Sequence, residues 1–300
     1  MTDLVDDCQK RRFWQQVNES VERLRANPAA WKSYQHEIDE LEGGSFDELE
    51  GEEPHYSPGD LEERAVYTDS ASIYDAIYGS RFDAAASARK VCELIGKQKQ
   101  SAGASLLDVA CGTGRHLVHL RDHYAVEGLD VSPEMVEIAR AKLPGISIHV
   151  ADMVEFDLGR RFDVILCLGS SIGYVKTMSR LRRTLKNFAR HLHPGGLLLV
   201  EPWIAPDAWE NGRVAVDASD EPNLKIARVL VSGLSGRVST LDIHHLVARG
   251  TTVDTFVEHH EFGLFTREDT MAAFRNAGFT VEHDPVGLSG RGLYIGIAPM

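Results

Sequence analysis

The residues with the clearest chemical potential lie in LLDVACGTGRH (106–116), where a short apolar run closes on Gly112 and Gly114. Glycines at that point let the backbone approach a ligand closely at the carboxyl end of a strand. A G-x-G alone is unspecific, so the surroundings must decide. The third glycine of a dinucleotide fingerprint would fall at Leu117 and is missing. No G-x-x-x-x-G-K-[ST] occurs anywhere in the chain, which excludes that nucleoside triphosphate loop. Asp130 ends the next strand-like run, about twenty residues on, where a carboxylate can accept both hydroxyls of a ribose. Asp152 ends the third run and precedes Met153, a pair suited to an adenine amino group and its ring. Asp108 sits inside the first run and can either hold the turn or meet a cationic ligand end. Three strand-end acids without a phosphate-binding residue suit a cationic adenosine ligand. S-adenosylmethionine, with its sulfonium and ammonium, is that ligand.

These residues need a frame, and the pattern supplies one. From about Val66 strand-like and helix-like segments alternate: SLLDVACG, AVEGLDV, ISIHVAD, FDVILCLG and GLLLVEPW read as strands with single helices between them. Pro133 marks the first turn of the helix PEMVEIARAKL. Helices are also expected over RHLVHLRDHY, REDTMAAFRNAG and TMSRLRRTLKNFARHL, the last with Leu181, Leu185, Phe188, Ala189 and Leu192 on one face and its arginines on a solvated one. Strands spaced by single helices form right-handed βαβ units and a parallel sheet covered on both faces. Residues 204–265 break the rhythm with four strand-like runs and no helix, which is an antiparallel excursion. FTVEHDPV and GLYIGIAP supply two closing strands.

Length and charge set outer limits. Three hundred residues with 43% hydrophobic and 26% charged content make a globular chain of one large or two modest domains. The net charge is −13, yet residues 37–63 hold twelve acids and no Lys or Arg. The rest of the chain is therefore close to neutral, which argues against a nucleic-acid partner. Residues 1–65 read as two short helices and this acidic linker, a helical extension fitted to packing or homo-oligomerisation rather than folding alone. Cys8, Cys92, Cys111 and Cys167 form no CxxC pair and read as reduced thiols. No stretch reaches the roughly 18 apolar residues of a membrane span, and the N-terminus has no apolar signal core. A cytoplasmic protein with no membrane partner is expected.

LLDVACGTGRHL, EGLDVSPEMVEIARAKLP, SSIGYVKT, HLHPGGLLLVEPW and SGRGLYIG together resemble class I S-adenosylmethionine-dependent methyltransferases. Among these they look most like the N-methyltransferases of nucleotide-linked amino deoxysugars, from about Tyr67 to Pro299; residues 1–65 have no counterpart. The resemblance implies a Rossmann-like α/β fold, a doubly wound, mostly parallel seven-stranded sheet in a domain over 66–300. It implies S-adenosylmethionine held by Asp108, Ala110, Cys111, Gly112, Gly114, His116, Asp130, Val131, Met135, Asp152, Met153 and Leu168. It places Tyr174 and Tyr67 at the acceptor amine, and Ser170, Ser171, Trp203 and Arg291 at the rest of the substrate, with Arg291 on the diphosphate.

A phenol, with a pKa of about 10, is a poor base at neutral pH, so Tyr174 fits orientation of an amine better than proton abstraction. Trp203 is suited to stacking on a substrate and equally to a core. His244, His245, His259 and His260 lie in the excursion, and alternation turns one of each pair toward the protein body. A metal site has only that pairing in its favour and is not expected, while a histidine base would suit a hydroxyl acceptor. Three other readings stay open at this level. The chain could methylate a different small-molecule amine or hydroxyl, or it could be a cofactor-binding regulator acting through residues 1–65. Methylation of a nucleobase would expect [ND]-P-P-[YF] after the fourth strand, where LCLGSS stands instead.

Overall fold

The computed structural model describes residues 67–79 and 82–300, within the second of the chain's two units, Glu63–Met300. The helices and acidic linker expected within residues 1–65, and Cys8, lie outside the described residues. Strands β1 (Ser105–Val109), β2 (Ala125–Asp130), β3 (Ile148–Val150), β4 (Phe162–Cys167) and β5 (Leu192–Val200) come first. An insertion follows with β6 (Val214–Glu221), β7 (Leu224–Ser235), β8 (Val238–Arg249) and β9 (Thr252–Gly263), and β10 (Thr280–Asp284) and β11 (Leu293–Ile297) close the chain. The helices are α1 (Tyr74–Tyr78), α2 (Ala84–Gln98), α3 (Leu117–Leu120), α4 (Pro133–Lys142), α5 (Met178–Arg190) and α6 (Arg267–Asn276).

The main sheet has seven strands in the order β10-β11-β5-β4-β1-β2-β3. The pairs among β1 to β5 are parallel, and β11 runs antiparallel to both of its neighbours. This is the mostly parallel sheet expected. Chain order reverses between β1 and β4, so the connections leaving these strands part there and open a crevice at their carboxyl ends. Every residue of β4 is buried because both faces are covered. Phe162, Ile165 and Cys167 join α5, α6 and their partners on one face, while Val164 and Leu166 pack with α2, α3 and α4 on the other.

Local sequence explains where the helices begin. Ser132 caps α4 by accepting from Met135 N–H at 3.2 Å, with Pro133 in the first turn. Thr177 and Thr266 cap α5 and α6 in the same manner. Two boundaries differ from the sequence expectation. The helix behind the glycine turn is only Leu117–Leu120, because His123 N–H and Tyr124 N–H both fold back on Leu120 C=O and release Ala125 to bond Ala104 C=O in the sheet. The HPGG segment read as punctuation lies inside β5, its extra length taken up by a register shift opposite Phe162 and Val164.

The insertion is a separate antiparallel meander, β6-β7-β8-β9. Its alternation buries His245 and His260 and leaves His244 exposed and His259 half-buried, as the pairing implied. A 3-10 turn, Ser171–Val175, lies against β9. Gly173 makes that approach possible: a Cβ there would stand 3.0 Å from both Phe262 and Trp203. Gly173→Val is expected to cost about 1–3 kcal/mol through overpacking, measured by urea unfolding. An unchanged midpoint would show that the turn and β9 are not tightly packed.

Candidate active site

The crevice between β1 and β4 gathers the glycine turn and two of the three acids. Ala110, Gly112 and Gly114 all have positive φ, so the chain reverses sharply after β1. At Gly114 a Cβ would meet Leu143 at 2.7 Å, so the turn sits directly on α4. Above Gly112 there is no neighbouring atom within 4 Å. Its N–H donates to Asp130 Oδ2 at 2.8 Å, and Asp130 Oδ1 accepts from Ser132 N–H at 3.0 Å. Burial pushes the Asp130 carboxyl up, partly offset by those backbone donors.

Asp108 is 2% exposed and its Oδ2 has no hydrogen-bond partner. Burial, and after it the Asp130 charge, push its carboxyl up to about 8. A buried carboxylate with one oxygen lacking a donor, beside a second carboxylate, is a site short of positive charge. Together with the open space over Gly112, it fits the cationic end of S-adenosylmethionine.

The other expected cofactor residues spread around this centre. Cys111 is buried against Gly128, and Met135 and Leu168 are buried below the crevice. Val131 is 59% exposed, directly after Asp130. His116 bonds Ser87 Oγ at 3.1 Å; burial, with Arg115 and His119 nearby, lowers its imidazole to about 4. Met153 is half-buried in the loop after β3. Asp152 stands apart from the two buried acids. Its Oδ1 takes Val154 N–H at 2.8 Å and its Oδ2 pairs with Arg180 at 2.9 Å, which leaves fewer lone pairs for an adenine amino group. The arginine face of α5 is solvated, with Arg180 and Arg183 paired to Asp152 and Glu155.

Residues 67–78 tie this crevice to the insertion. Asp75 accepts from Thr113 Oγ1 at 2.7 Å and pairs with Lys142. Ser70 N–H donates to Glu258 at 3.2 Å, and Ser219 Oγ donates to the Ala76 carbonyl at 2.8 Å. Arg228, almost fully buried, grips Asp217 with two bonds of 2.8 and 2.7 Å and donates to Tyr78 Oη at 3.3 Å.

The residues expected at the substrate lie in a wall of aromatic rings and polar groups. Trp203 stacks on Phe262 with centroids 4.1 Å apart, and the Arg291 guanidinium lies 5.4 Å from the Trp203 ring. Trp203 thus belongs to a packed cluster, the core role its sequence left open. Exposed Arg291 donates to Ser170 Oγ at 3.0 Å, and Ser170, itself at positive φ, donates to the Pro202 carbonyl. Among the described residues Arg291 has no acidic partner. Ser171 is half-buried and opens the 3-10 turn. Buried Glu201 accepts from Gly169 N–H at 2.8 Å and from Ser289 Oγ, joining the loops that carry Ser170 and Arg291.

Tyr174 and Tyr67 meet, their hydroxyl oxygens 3.0 Å apart. Tyr174 Oη also lies 2.9 Å from His260 Nδ1. Burial pushes both phenols well above their usual range. His260 Nε2 faces Glu258 Oε2 at 3.7 Å, and His245 Nε2 faces the same oxygen at 3.4 Å. Glu258, Phe262, Glu201 and Ser289 were not singled out by sequence reasoning. For Glu258, His260 and Phe262 the signal was the period of two in VEHHEF, which puts all three on one strand face.

Comparison with known proteins shows the family. A family described as a methyltransferase domain matches residues 106–196. The chain is 43% identical over 239 residues to the dTDP-4-amino-2,3,4,6-tetradeoxy-D-glucose N,N-dimethyltransferase of Saccharopolyspora spinosa, covering 79% of this chain and 96% of that one. The crystal structure of Streptomyces venezuelae DesVI superposes with a TM-score of 0.73 at 39% identity, covering 77% of this chain and 99% of that one. The S-adenosylmethionine-bound amino pentose methyltransferase CalS10 of Micromonospora echinaspora gives 0.69 at 35% identity, with 75% and 96% covered. With these likenesses spanning nearly the whole length of each relative, the chain belongs to the class I S-adenosylmethionine-dependent methyltransferases, among the nucleotide-linked amino deoxysugar N-methyltransferases.

Proposed function

We propose that this enzyme methylates the amino group of a nucleotide-diphospho amino deoxysugar, the class of compound on which its similar relatives are named as acting. The observation that carries this reading is the pairing of two half-buried tyrosines, Tyr67 and Tyr174, with an exposed guanidinium, Arg291, on the same aromatic wall. Two phenols orient an amine, and an unpaired arginine suits a diphosphate. The catalytic unit in this reading is residues 66–300, with 1–65 an appendage fitted to self-association.

When bound, S-adenosylmethionine supplies a methyl group made electrophilic by its sulfonium. Asp108 would receive the cofactor's ammonium, and Asp130 the ribose hydroxyls, without giving up its clasp on Gly112. Val131 and Met153 would border the adenine. Arg291 would bind the diphosphate beside Trp203, which holds the sugar toward Tyr174. Among the described residues no group of three or more acids, histidines and cysteines is placed to hold a metal ion. No helix among those residues is long and apolar enough to cross a membrane.

Two measurements test this. With S-adenosylmethionine and a panel of dTDP-amino sugars, product mass should rise by one or two methyl groups. Asp130→Ala should weaken cofactor binding by about 10- to 100-fold in calorimetry, the worth of lost hydrogen bonds to a charged group. No product from any amino sugar, with product from a hydroxyl counterpart, would transfer the assignment to a hydroxyl acceptor.

A third measurement concerns Asp108. Between the ordinary carboxylate range and about 8, the native state keeps a proton that the unfolded chain has lost. Native stability therefore falls as pH rises through that window. Asp108→Asn removes the penalty. Its ligand-free Tm should exceed the wild-type Tm by a margin that widens from about pH 5 to about pH 8. A constant margin would mean that Asp108 is ionised in the free enzyme.

A further inference from the structure

Tyr174 has one hydroxyl proton and two oxygen or nitrogen neighbours, Tyr67 Oη at 3.0 Å and His260 Nδ1 at 2.9 Å. Which neighbour receives it is decided on the far side of His260. That imidazole is 1% exposed, and its Nε2 has no hydrogen-bond partner but faces Glu258 Oε2. Burial pushes Glu258 up, but the nearby His245 and His260 imidazoles and the Ser70 N–H outweigh it and hold the carboxyl at about 2, so it is an anion throughout the working range. An anion against Nε2 keeps a proton on that nitrogen and turns the Nδ1 lone pair to Tyr174. Tyr174 then donates to His260, accepts from Tyr67, and keeps one lone pair for the substrate.

We propose that His260, oriented by Glu258, is the positioning residue that takes up, through the Tyr174 hydroxyl, the proton an acceptor ammonium must lose before it can attack. This rests on the amine reading above. The N–H bond of the ammonium breaks and leaves its electron pair on nitrogen. A new O–H bond forms at Tyr174 as the phenol's own O–H breaks, and that proton forms Nδ1–H on His260. The imidazolium faces Glu258 until it returns the proton to solvent. No phenolate accumulates at any stage. The groups that face His260 are Glu258 from its own strand β9, Tyr174 from the 3-10 turn and Tyr67 from the N-terminal segment, with His245 of β8 across Glu258 and the Phe262 ring parallel to the imidazole. The proton thus has an acceptor inside the site, and turnover does not wait for the small fraction of substrate already neutral in solution.

Two readouts decide this, both on the full-length protein. With 15N-labelled histidine and no substrate, NMR should find neutral His260 protonated on Nε2, with an Nδ1 shift that moves in Tyr174→Phe. An Nδ1–H tautomer would overturn the relay. In the pH profile of kcat, His260→Asn should lose about tenfold or more at about pH 6.5 and at most a few-fold at about pH 9, where the amine is already neutral. Tyr174→Phe should lose activity with the same pH dependence, and calorimetric cofactor binding certifies that both variants are folded. An equal loss at every pH would reduce His260 to packing and overturn the proposal. Absence of methylated product from the wild-type enzyme with every amino sugar would instead sink the substrate reading, and the tautomer would then decide the relay by itself.

Discussion

The site depends on a single carboxylate one strand away from the point where the sheet's chain order reverses. Asp130 ends β2 and holds Gly112 N–H with one oxygen and Ser132 N–H with the other. These bonds fix the two turns that flank the crevice, each worth about 1.5–3 kcal/mol as a hydrogen bond to a charged group. The clasp carries an electrostatic cost, because Asp108 is buried within reach of the same negative field with one oxygen lacking a donor. Two carboxylates of this kind can both ionise only if a positive charge arrives. In the proposed reading the cofactor is that charge, so the loop geometry is set in advance while the charge balance is left for the ligand to complete.

The second constraint is the segment from Tyr67 to Tyr78. It touches the glycine turn through Asp75 and Thr113, the insertion through Ala76, Tyr78 and Ser70, and the acceptor site through Tyr67. Neither sheet supplies these contacts alone. A short helix of five residues has little stability by itself, so its position is set by the side chains it meets at both ends. In the proposed reading, cofactor and acceptor sites are thereby linked through one stretch of a dozen residues.

Much of this was legible in the sequence, for identifiable reasons. The strands β1, β2 and β4 are apolar runs bounded by glycines and acids, and their ends carry Asp108, Gly112 and Asp130 in order. The insertion showed itself by the loss of helical periods between 204 and 265. What escaped was the set of contacts made across elements. Asp152 was read from its strand-end position, yet Arg180, twenty-eight residues later in α5, occupies one of its oxygens. Glu201 and Ser289 are eighty-eight positions apart and meet only because β5 and β11 are neighbours. The length of α3 was misjudged because its stop is set by sheet pairing at Ala125, not by a breaker residue.

The two sheets present function in different ways, and this explains why their residues differ in visibility. A parallel sheet offers its strand ends, so its functional groups cluster beside turn residues that motifs can capture. An antiparallel meander offers the middle of its strands, where period-two alternation puts Glu258, His260 and Phe262 on the inner face and His259, paired with Asp242, on the other. No turn marks such residues. They are found by asking which face of the strand is buried and whether a buried polar side chain there has a partner. At His260 the answer is a phenol on one nitrogen and a carboxylate beyond hydrogen-bond distance on the other. A polar group buried in that state costs stability, and in the proposed relay it supplies a nitrogen one hydroxyl away from the acceptor.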